Sequence, residues 1–423
     1  VGMLRSALYR AVADAGPGGI SHEVLPLRVF EALRLPFELY AVDPTVKFQQ
    51  KAETERALRE VLAYRIYQDL RRGWRVTSPN LEQCGLLRID YASLQELCQA
   101  QEEWADCHPA LVDAAPATRV EIARTLLDYL RRELAIKVDY LNPVYQESLR
   151  QLSSQRLREP WAMDEGEQLL RGFIAFPRAR RRGVDDANET REHLYISGRG
   201  GFGLYLRRVN TLPDYHARLS VDETEQVIVH IFRVLKVAGL VQVVTDSPAS
   251  DDPGYMIPAS ALIWQAGDGA QPLRDVIRVP RAPRSGSRVN QHFVDFYRQP
   301  TRRLEGMRAR EHTAQVQSDQ RQQRQDQFRR AELPLLYCSP TMELGVDIAQ
   351  LNALNMRNVP PTPANYAQRS GRAGRSGQPA LVFTYCTTGS PHDQYFFRRP
   401  QQMVAGAVTP PRLDLANEDL VRA

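Results

Sequence analysis

The chain has 423 residues, 43% of them hydrophobic, and a formal net charge of +5. Its length allows two to four domains with separate cores, and it contains no apolar run near the roughly 18 residues of a membrane-spanning helix. Its five cysteines include no Cys-x-x-Cys pair, which argues against zinc or redox sites, so no metal site and a cytoplasmic location are predicted. The chain begins Val1-Gly2-Met3, and both of its ends are expected to be internal to a longer protein.

Arginine dominates the basic residues. Of the 55 lysines and arginines only four are lysine, Lys47, Lys51, Lys137 and Lys236, which leaves 51 arginines. The bidentate guanidinium suits phosphate contacts, but a GC-rich genome produces the same bias. Only local clusters of arginine therefore indicate where nucleic acid could bind.

The first part of the chain is predicted to be helical. Leu58, Leu62 and Ile66 recur every four residues within a helix from Lys51 to Arg72, and a second apolar stripe predicts a helix from about Thr118 to Leu134. Both stripes are typical of core packing.

An arginine cluster follows Phe176. It is predicted to be an exposed loop between domains. The loop is either simply solvated or a nucleic-acid contact, for which the candidates are Arg178, Arg180, Arg181 and Arg182. The next segment, Gly198 to Gly203, matches G-x-G-x-x-G. We do not predict a dinucleotide site there, because no amphipathic helix of useful length follows to hold a pyrophosphate.

The segment from Ser220 predicts a helix followed by two strands. Ser220 and Glu223 have the spacing of a capping box, and short apolar runs at 241–244 and 255–257 flank a turn-rich stretch. This order resembles a winged helix, a module that binds DNA or proteins. A second arginine-rich linker, 274–288, precedes the last ordered block.

The last block predicts a partial parallel sheet. Two apolar strands, Leu335 to Cys338 and Ala380 to Tyr385, are separated by helical and loop segments, and Pro363 suits the start of a helix. That helix would present Arg372 and Arg375 on one face, where they could clamp a phosphoryl group. The alternative is an exposed charged helix end.

Two sequences in this block resemble conserved motifs of the superfamily-two helicases. Gln368 to Arg375, of the form Q-x-x-G-R-x-G-R, is similar to motif VI, and Ser339 to Ile348 is similar to motif V. The resemblance implies an α/β fold, a partial RecA-like domain interrupted by a helical insertion and a winged-helix-like module. It also implies that Arg372 and Arg375 reach the γ-phosphate of ATP and that Gln368 connects the two motor domains.

Further roles follow from the same resemblance. Asp347 matches the acid that contacts the ribose, Gly345 matches a turn, and Gly371 and Gly374 complete the nucleotide-binding set. Ser339 matches a hydroxyl that contacts nucleic-acid phosphate, and Thr313 and Gln315 are weaker candidates for strand contact. Leu344 stands where many DEAD-box proteins have arginine, which favours DNA over RNA as the partner.

The sequence contains no G-x-x-x-x-G-K-[ST] motif and no Asp-Glu-x-Asp or Asp-Glu-x-His after a strand. ATP and Mg²⁺ are therefore expected to be held mainly by a first RecA-like domain outside this sequence, and the chain alone is expected to be inactive. We expect the C-terminal motor half of an ATP-dependent DNA helicase or translocase. The alternative is a non-catalytic nucleic-acid-binding or scaffold subunit that completes another chain's ATP site.

The resemblance also predicts the order of segments along the chain. Residues 1–45 would continue the second RecA-like domain after motif IV, 46–165 would be a helical insertion, and 166–215 an arginine-rich loop and linker. Residues 216–275 would form the winged-helix-like module and 290–400 the motor domain with motifs V and VI. Residues 401–423 would begin a following segment.

Overall fold

The computed structural model describes residues 1–71, 78–164, 166–180, 192–245, 253–279, 289–299, 308–339, 351–374 and 378–407. The chain divides into two compact units, Val1–Arg303 and Leu304–Ala423. The domain boundaries predicted from the sequence stay predictions. None of the helices in the described ranges has the length and apolar character needed to cross a membrane.

The first unit is mainly helical. Its helices are α1 (Gly2–Asp14), α2 (Leu25–Leu33), α3 (Phe48–Leu70), α4 (Leu94–Gln99), α5 (Gln101–Trp104), α6 (Pro109–Val112), α7 (Pro116–Arg132), α8 (Pro143–Arg156), α9 (Gly201–Leu206), α10 (Val221–Val237) and α11 (Gln291–Arg298). The helices predicted near 51–72 and 118–134 are confirmed as α3 and α7, and their apolar stripes are buried.

The strands of the first unit are β1 (Ile20–Ser21), β2 (Leu87–Tyr91), β3 (Ile136–Lys137), β4 (Ile174–Phe176), β5 (His193–Tyr195), β6 (Gln242–Thr245), β7 (Gly254–Pro258) and β8 (Leu262–Ala266). They form an antiparallel sheet in the order β1-β8-β2 and a mixed sheet in the order β3-β7-β4-β5, with β6 paired to β7. Strand β1 thus pairs with a strand more than 200 residues later in the chain.

The capping box predicted at Ser220 is confirmed. The Ser220 hydroxyl accepts a hydrogen bond from the Glu223 amide, and the Glu223 carboxylate accepts one from the Ser220 amide, at the start of α10. Strands β6 and β7 follow as predicted and pair in antiparallel fashion. Because β7 also pairs with β3 and β4, this helix–strand–strand segment belongs to a larger sheet.

The glycine-rich segment has a structural explanation. A Cβ atom on Gly203 would lie 2.3 Å from the Gly198 carbonyl oxygen, and one on Gly198 would lie 2.6 Å from the Val221 carbonyl oxygen. The backbone of this turn therefore packs too closely for side chains. The helix that follows, α9, has only six residues.

A buried ion pair lies in the core of the first unit. The Arg131 guanidinium donates to both carboxylate oxygens of Glu82, at 3.0 and 2.7 Å, and also contacts Asp128 and the Tyr91 hydroxyl. Neither the Arg131 nor the Glu82 side chain is more than 4% exposed. Buried charges of this kind must remain paired, because each would otherwise stay desolvated without compensation.

The second unit contains β9 (Ala309–His312), α12 (Ser318–Arg329), β10 (Leu335–Cys338), β11 (Ala353–Met356), α13 (Pro363–Ser370), β12 (Leu381–Thr384), α14 (Pro391–Arg398) and α15 (Pro400–Val404). Strands β9 and β10 pair in parallel, and so do β11 and β12. The predicted parallel α/β class and the two predicted strands are confirmed. Several apolar side chains of β10 and β12 are exposed, among them Tyr337, Leu381 and Phe383.

We predict that Glu82→Ala lowers the free energy of unfolding of the first unit by about 3–5 kcal/mol, because the buried Arg131 charge would lose both of its hydrogen bonds to Glu82 and keep Asp128 as its remaining ionic partner. All four tryptophans of the chain precede residue 304, so tryptophan fluorescence during urea unfolding reports on this unit. The matched control is Glu31→Ala, which removes the exposed partner of Arg28 and should cost less than about 1 kcal/mol. Equal losses in the two variants would contradict the assigned importance of the buried pair.

Candidate functional site

The ends of β9 and β10 bring two predicted contact residues to one edge. The parallel register pairs Ala309 with Leu335 and His312 with Cys338, so the two strands end level with each other. Thr313 and Ser339 follow directly, and both are partly exposed. Gln315, in the turn before α12, is exposed. Loops at the carboxyl ends of parallel strands are where open α/β sheets bind ligands.

His312 lies at the same edge and was not singled out in the sequence. Its side chain is 2% exposed, and neither ring nitrogen has a hydrogen-bond partner within the described residues. Burial, followed by the charges of Arg321 and Arg324, lowers the pKa of His312, so its imidazole is neutral at pH 7. In the sequence, the feature that could have identified His312 is its position as the last residue of a strand before a polar turn.

The second parallel pair carries a hydrogen-bonded cluster at its carboxyl edge. The Asn358 side-chain amide donates to the Thr387 hydroxyl and to the Asp393 carboxylate, both at 3.1 Å, and the Thr387 amide donates to the same carboxylate oxygen at 2.8 Å. The Asp393 amide donates in turn to the Ser390 hydroxyl, which caps α14. We call Asn358, Thr387, Ser390 and Asp393 the edge cluster.

Asp393 is ionised in this cluster although it is 2% exposed. Burial by itself raises the pKa of its carboxyl group. Hydrogen bonds with Thr387, Asn358, Ser390 and Val359 outweigh that effect and leave the pKa below its usual value. In the sequence, the feature that could have identified Asp393 is its spacing from Ser390, which is the spacing between a helix N-cap and the third residue of the helix.

Helix α13 carries part of the motif that ends at Arg375. The Thr362 hydroxyl accepts a hydrogen bond from the Asn365 amide and Pro363 occupies the first turn, which confirms the predicted helix start. Gln368 is exposed on this helix. The helix ends at Ser370, so Arg372 lies in the turn after it, and the prediction that Arg372 lies on a helical face is wrong. Gly371 terminates the helix before the arginine is reached.

The turn after α13 is attached to Leu351, two residues before β11. Ala373 forms a parallel bridge with Leu351, and the Gly374 amide donates to the Leu351 carbonyl at 3.2 Å. Gly374 has a φ of +72°, and a Cβ atom there would lie 2.9 Å from the Gln378 carbonyl oxygen. The position therefore requires glycine for both its conformation and its close packing.

The arginine cluster of the first unit is only partly exposed. Arg178 is 7% exposed, and its guanidinium carbon lies 5.3 Å from the centre of the Phe176 ring and 5.2 Å from that of Tyr195. The prediction of an exposed loop is wrong at Arg178, because its planar side chain stacks on these rings. Arg180 is exposed as predicted.

Five of the predicted site residues lie outside the described residues: Arg181, Arg182, Gly345, Asp347 and Arg375. The residues that are described contain no group of three or more histidine, cysteine or acidic side chains suited to hold a metal ion.

All five cysteines are free thiols, and burial raises the pKa of Cys84 and of Cys98 to about 11.

Residues 286–377 match the family of the helicase conserved C-terminal domain. Among solved structures, the chain is similar to the C-terminal domain of the DEAD-box protein Dbp5, with 19% sequence identity and a TM-score of 0.21. That similarity covers 31% of this chain and 74% of the other. No curated protein matches the chain.

We predict that Gly374→Ala loosens the turn after α13. A side chain in the left-handed conformation costs roughly 1–2 kcal/mol, so the amide of residue 374, which donates to Leu351, should exchange with solvent about tenfold faster. Hydrogen exchange with mass spectrometry measures this change. The control is Gly389→Ala, where a Cβ atom would meet nothing within 4 Å. Unchanged exchange at residue 374 would show that the turn tolerates a side chain.

Proposed function

We propose that the chain, whose residues 286–377 match the family of the helicase conserved C-terminal domain, supplies the second motor half of an ATP-dependent DNA helicase or translocase. The observation that best supports this proposal is the anchoring of the turn after α13 beside Leu351. It holds the Gly371–Gly374 segment against Leu351, which lies three residues after the Ser339–Ile348 sequence.

Arg372 and Arg375 are proposed to stabilise negative charge on the γ-phosphate of ATP during its transfer to water. Phosphoryl transfer is accelerated mainly by positioning and by neutralising charge, and an inserted arginine can contribute roughly 10³ to 10⁵ in rate. Gln368, exposed on α13, would connect this domain to the first RecA-like domain. Asp347 and Gly345 would complete the nucleotide contacts, Asp347 through the ribose.

The chain fits only one side of an ATP site. It supplies arginines and glycines near a phosphate, but its sequence has no Walker A motif, and its described residues contain no cluster suited to Mg²⁺. We propose that a first RecA-like domain, in the same polypeptide or in another, holds ATP and Mg²⁺. The chain by itself should then hydrolyse no ATP, because arginines act only on phosphates that are already positioned.

Nucleic acid is proposed to contact the carboxyl edge of β9 and β10. Thr313 and Ser339 lie there on neighbouring strands and Gln315 lies in the adjoining turn, which gives hydroxyl and amide groups for phosphate oxygens. We propose DNA because Leu344 replaces the arginine found in many DEAD-box proteins. Arg180, Arg181 and Arg182 would add phosphate contacts from the first unit, and the winged-helix-like segment at 216–275 is a further DNA-binding candidate.

A non-catalytic role is the second candidate. The absence of Walker motifs from the sequence is the observation that favours it, since the chain could complete an ATP site on a separate subunit. ATP hydrolysis by the product of the complete reading frame, expressed alone and with a Walker-containing partner, distinguishes the two candidates. In the first, the motifs are encoded in the same reading frame and the product hydrolyses ATP alone. In the second, hydrolysis requires a separate polypeptide. We propose a cytoplasmic location, because the five cysteines are free thiols and a reducing compartment keeps them so.

We predict that Arg372→Ala and Arg375→Ala, made in the protein that carries the Walker motifs, each lower DNA-stimulated kcat for ATP by at least about 10³-fold while DNA affinity stays within threefold. The arginines act on transition-state charge and not on the strand. Steady-state hydrolysis and fluorescence anisotropy with labelled DNA measure the two quantities. The control is Arg398→Ala, an exposed arginine at the end of α14. Normal turnover in both finger variants would overturn the proposed function.

We predict different effects for two neighbouring arginines of the first unit. Arg180→Gln should flatten the plot of log affinity for DNA against log salt concentration by about 0.7–0.9, the loss of one phosphate contact. Arg178→Gln should leave that slope unchanged and lower the stability of the first unit instead, because its guanidinium is stacked on Phe176 and Tyr195. Titrations of the chain with DNA at several salt concentrations test this. Equal slopes for wild type and Arg180→Gln would rule out the contact.

A further inference from the structure

We propose that Asp393 is a positioning residue that fixes the start of α13 and thereby the placement of Arg372 against ATP. The inference rests on the proposed function and adds a residue outside the segment that matches the helicase family, which ends at residue 377. Asp393 itself is too far along the chain to be part of either sequence motif. Its influence would pass through the segment that joins β11 to α13.

The start of α14 holds that connecting segment at two points. The Asn358 side chain donates to Asp393 and Thr387, and the His392 Nε2 lies 3.1 Å from the Pro360 carbonyl oxygen. Both holding groups belong to the stretch that begins α14. A displacement of Asp393 would therefore move the residues immediately before the helix.

The connecting segment is stiff enough to transmit such a displacement. Pro360, Pro361 and Pro363 each have a restricted φ angle, and the Thr362 hydroxyl caps the helix between them. On the other side, Gly406 packs against α13 so closely that a Cβ atom there would lie 2.6 Å from Pro363 Cγ. The first turn of α13 is thus held by α14 and by the residues after α15.

The other end of α13 is held by a different contact. Ala373 bridges to Leu351, so the segment from Thr362 to Ala373 is fixed at both ends and carries Gln368 and Arg372 between the two anchors. A shift of about 1 Å in a positioned group can lower a rate by as much as 10²-fold. Releasing the Asp393 anchor should therefore reduce turnover without removing any group that contacts the substrate.

Asp393→Ala removes both carboxylate oxygens, whereas Asp393→Asn keeps one oxygen, and in the native cluster a single oxygen accepts from both Thr387 and Asn358. In the protein that carries the Walker motifs, we expect Asp393→Ala to lower DNA-stimulated kcat by about 10- to 100-fold and Asp393→Asn by less, with KM for ATP and DNA affinity within twofold. The matched control is Asp326→Ala, a half-exposed acid on α12 whose carboxylate accepts a hydrogen bond from Arg329. It should keep normal turnover.

The decisive measurement is the same substitution in an Arg372→Ala background, under single-turnover conditions at a temperature where all variants are folded. If Asp393 acts through Arg372, Asp393→Ala should then change the rate by less than twofold. An equal loss in both backgrounds, or no loss in the wild-type background, would overturn the positioning role. Full activity of Arg372→Ala alone would instead remove the proposed role of Arg372, and full activity of Arg375→Ala as well would overturn the proposed function on which this inference rests.

Discussion

The parallel pairing of short strands is the constraint on which the candidate site depends. When two parallel strands end level, the residues that follow them are neighbours even if they are far apart in the sequence. The pair β9 and β10 brings Thr313 and Ser339 together in this way, and the pair β11 and β12 brings Asn358 close to Thr387 and Asp393. Each pair thus turns separate polar residues into one cluster.

The arginine motif is held by its surroundings and not by its own helix. Helix α13 has only eight residues and no buried side chain, so it buries little apolar surface of its own. Its position depends on the edge cluster before it and on the Leu351–Ala373 bridge after it. Small movements of these two anchors would therefore change the position of Arg372.

The two units differ in how they are stabilised. The first unit buries large side chains such as Trp104, Trp264 and Phe232, together with the paired charges of Arg131 and Glu82. The strands of the second unit leave alternate apolar side chains exposed, including Tyr337 and Phe383. Parallel strands are usually covered on both faces, so burial contributes less to the second unit.

The sequence by itself determined the elements whose signals are local. Apolar periodicity, caps and prolines predicted α3, α7, α10 and α13, and the helicase-like motifs led to the family that matches residues 286–377. These signals act within one or two turns of a helix, so they can be seen without knowledge of the fold. Only the tertiary structure decided which distant residues meet. The stacking of Arg178 on Tyr195, the position of Arg372 beyond the helix and the ionised, buried Asp393 depend on strand pairing across many residues, and periodicity carries no information about such contacts.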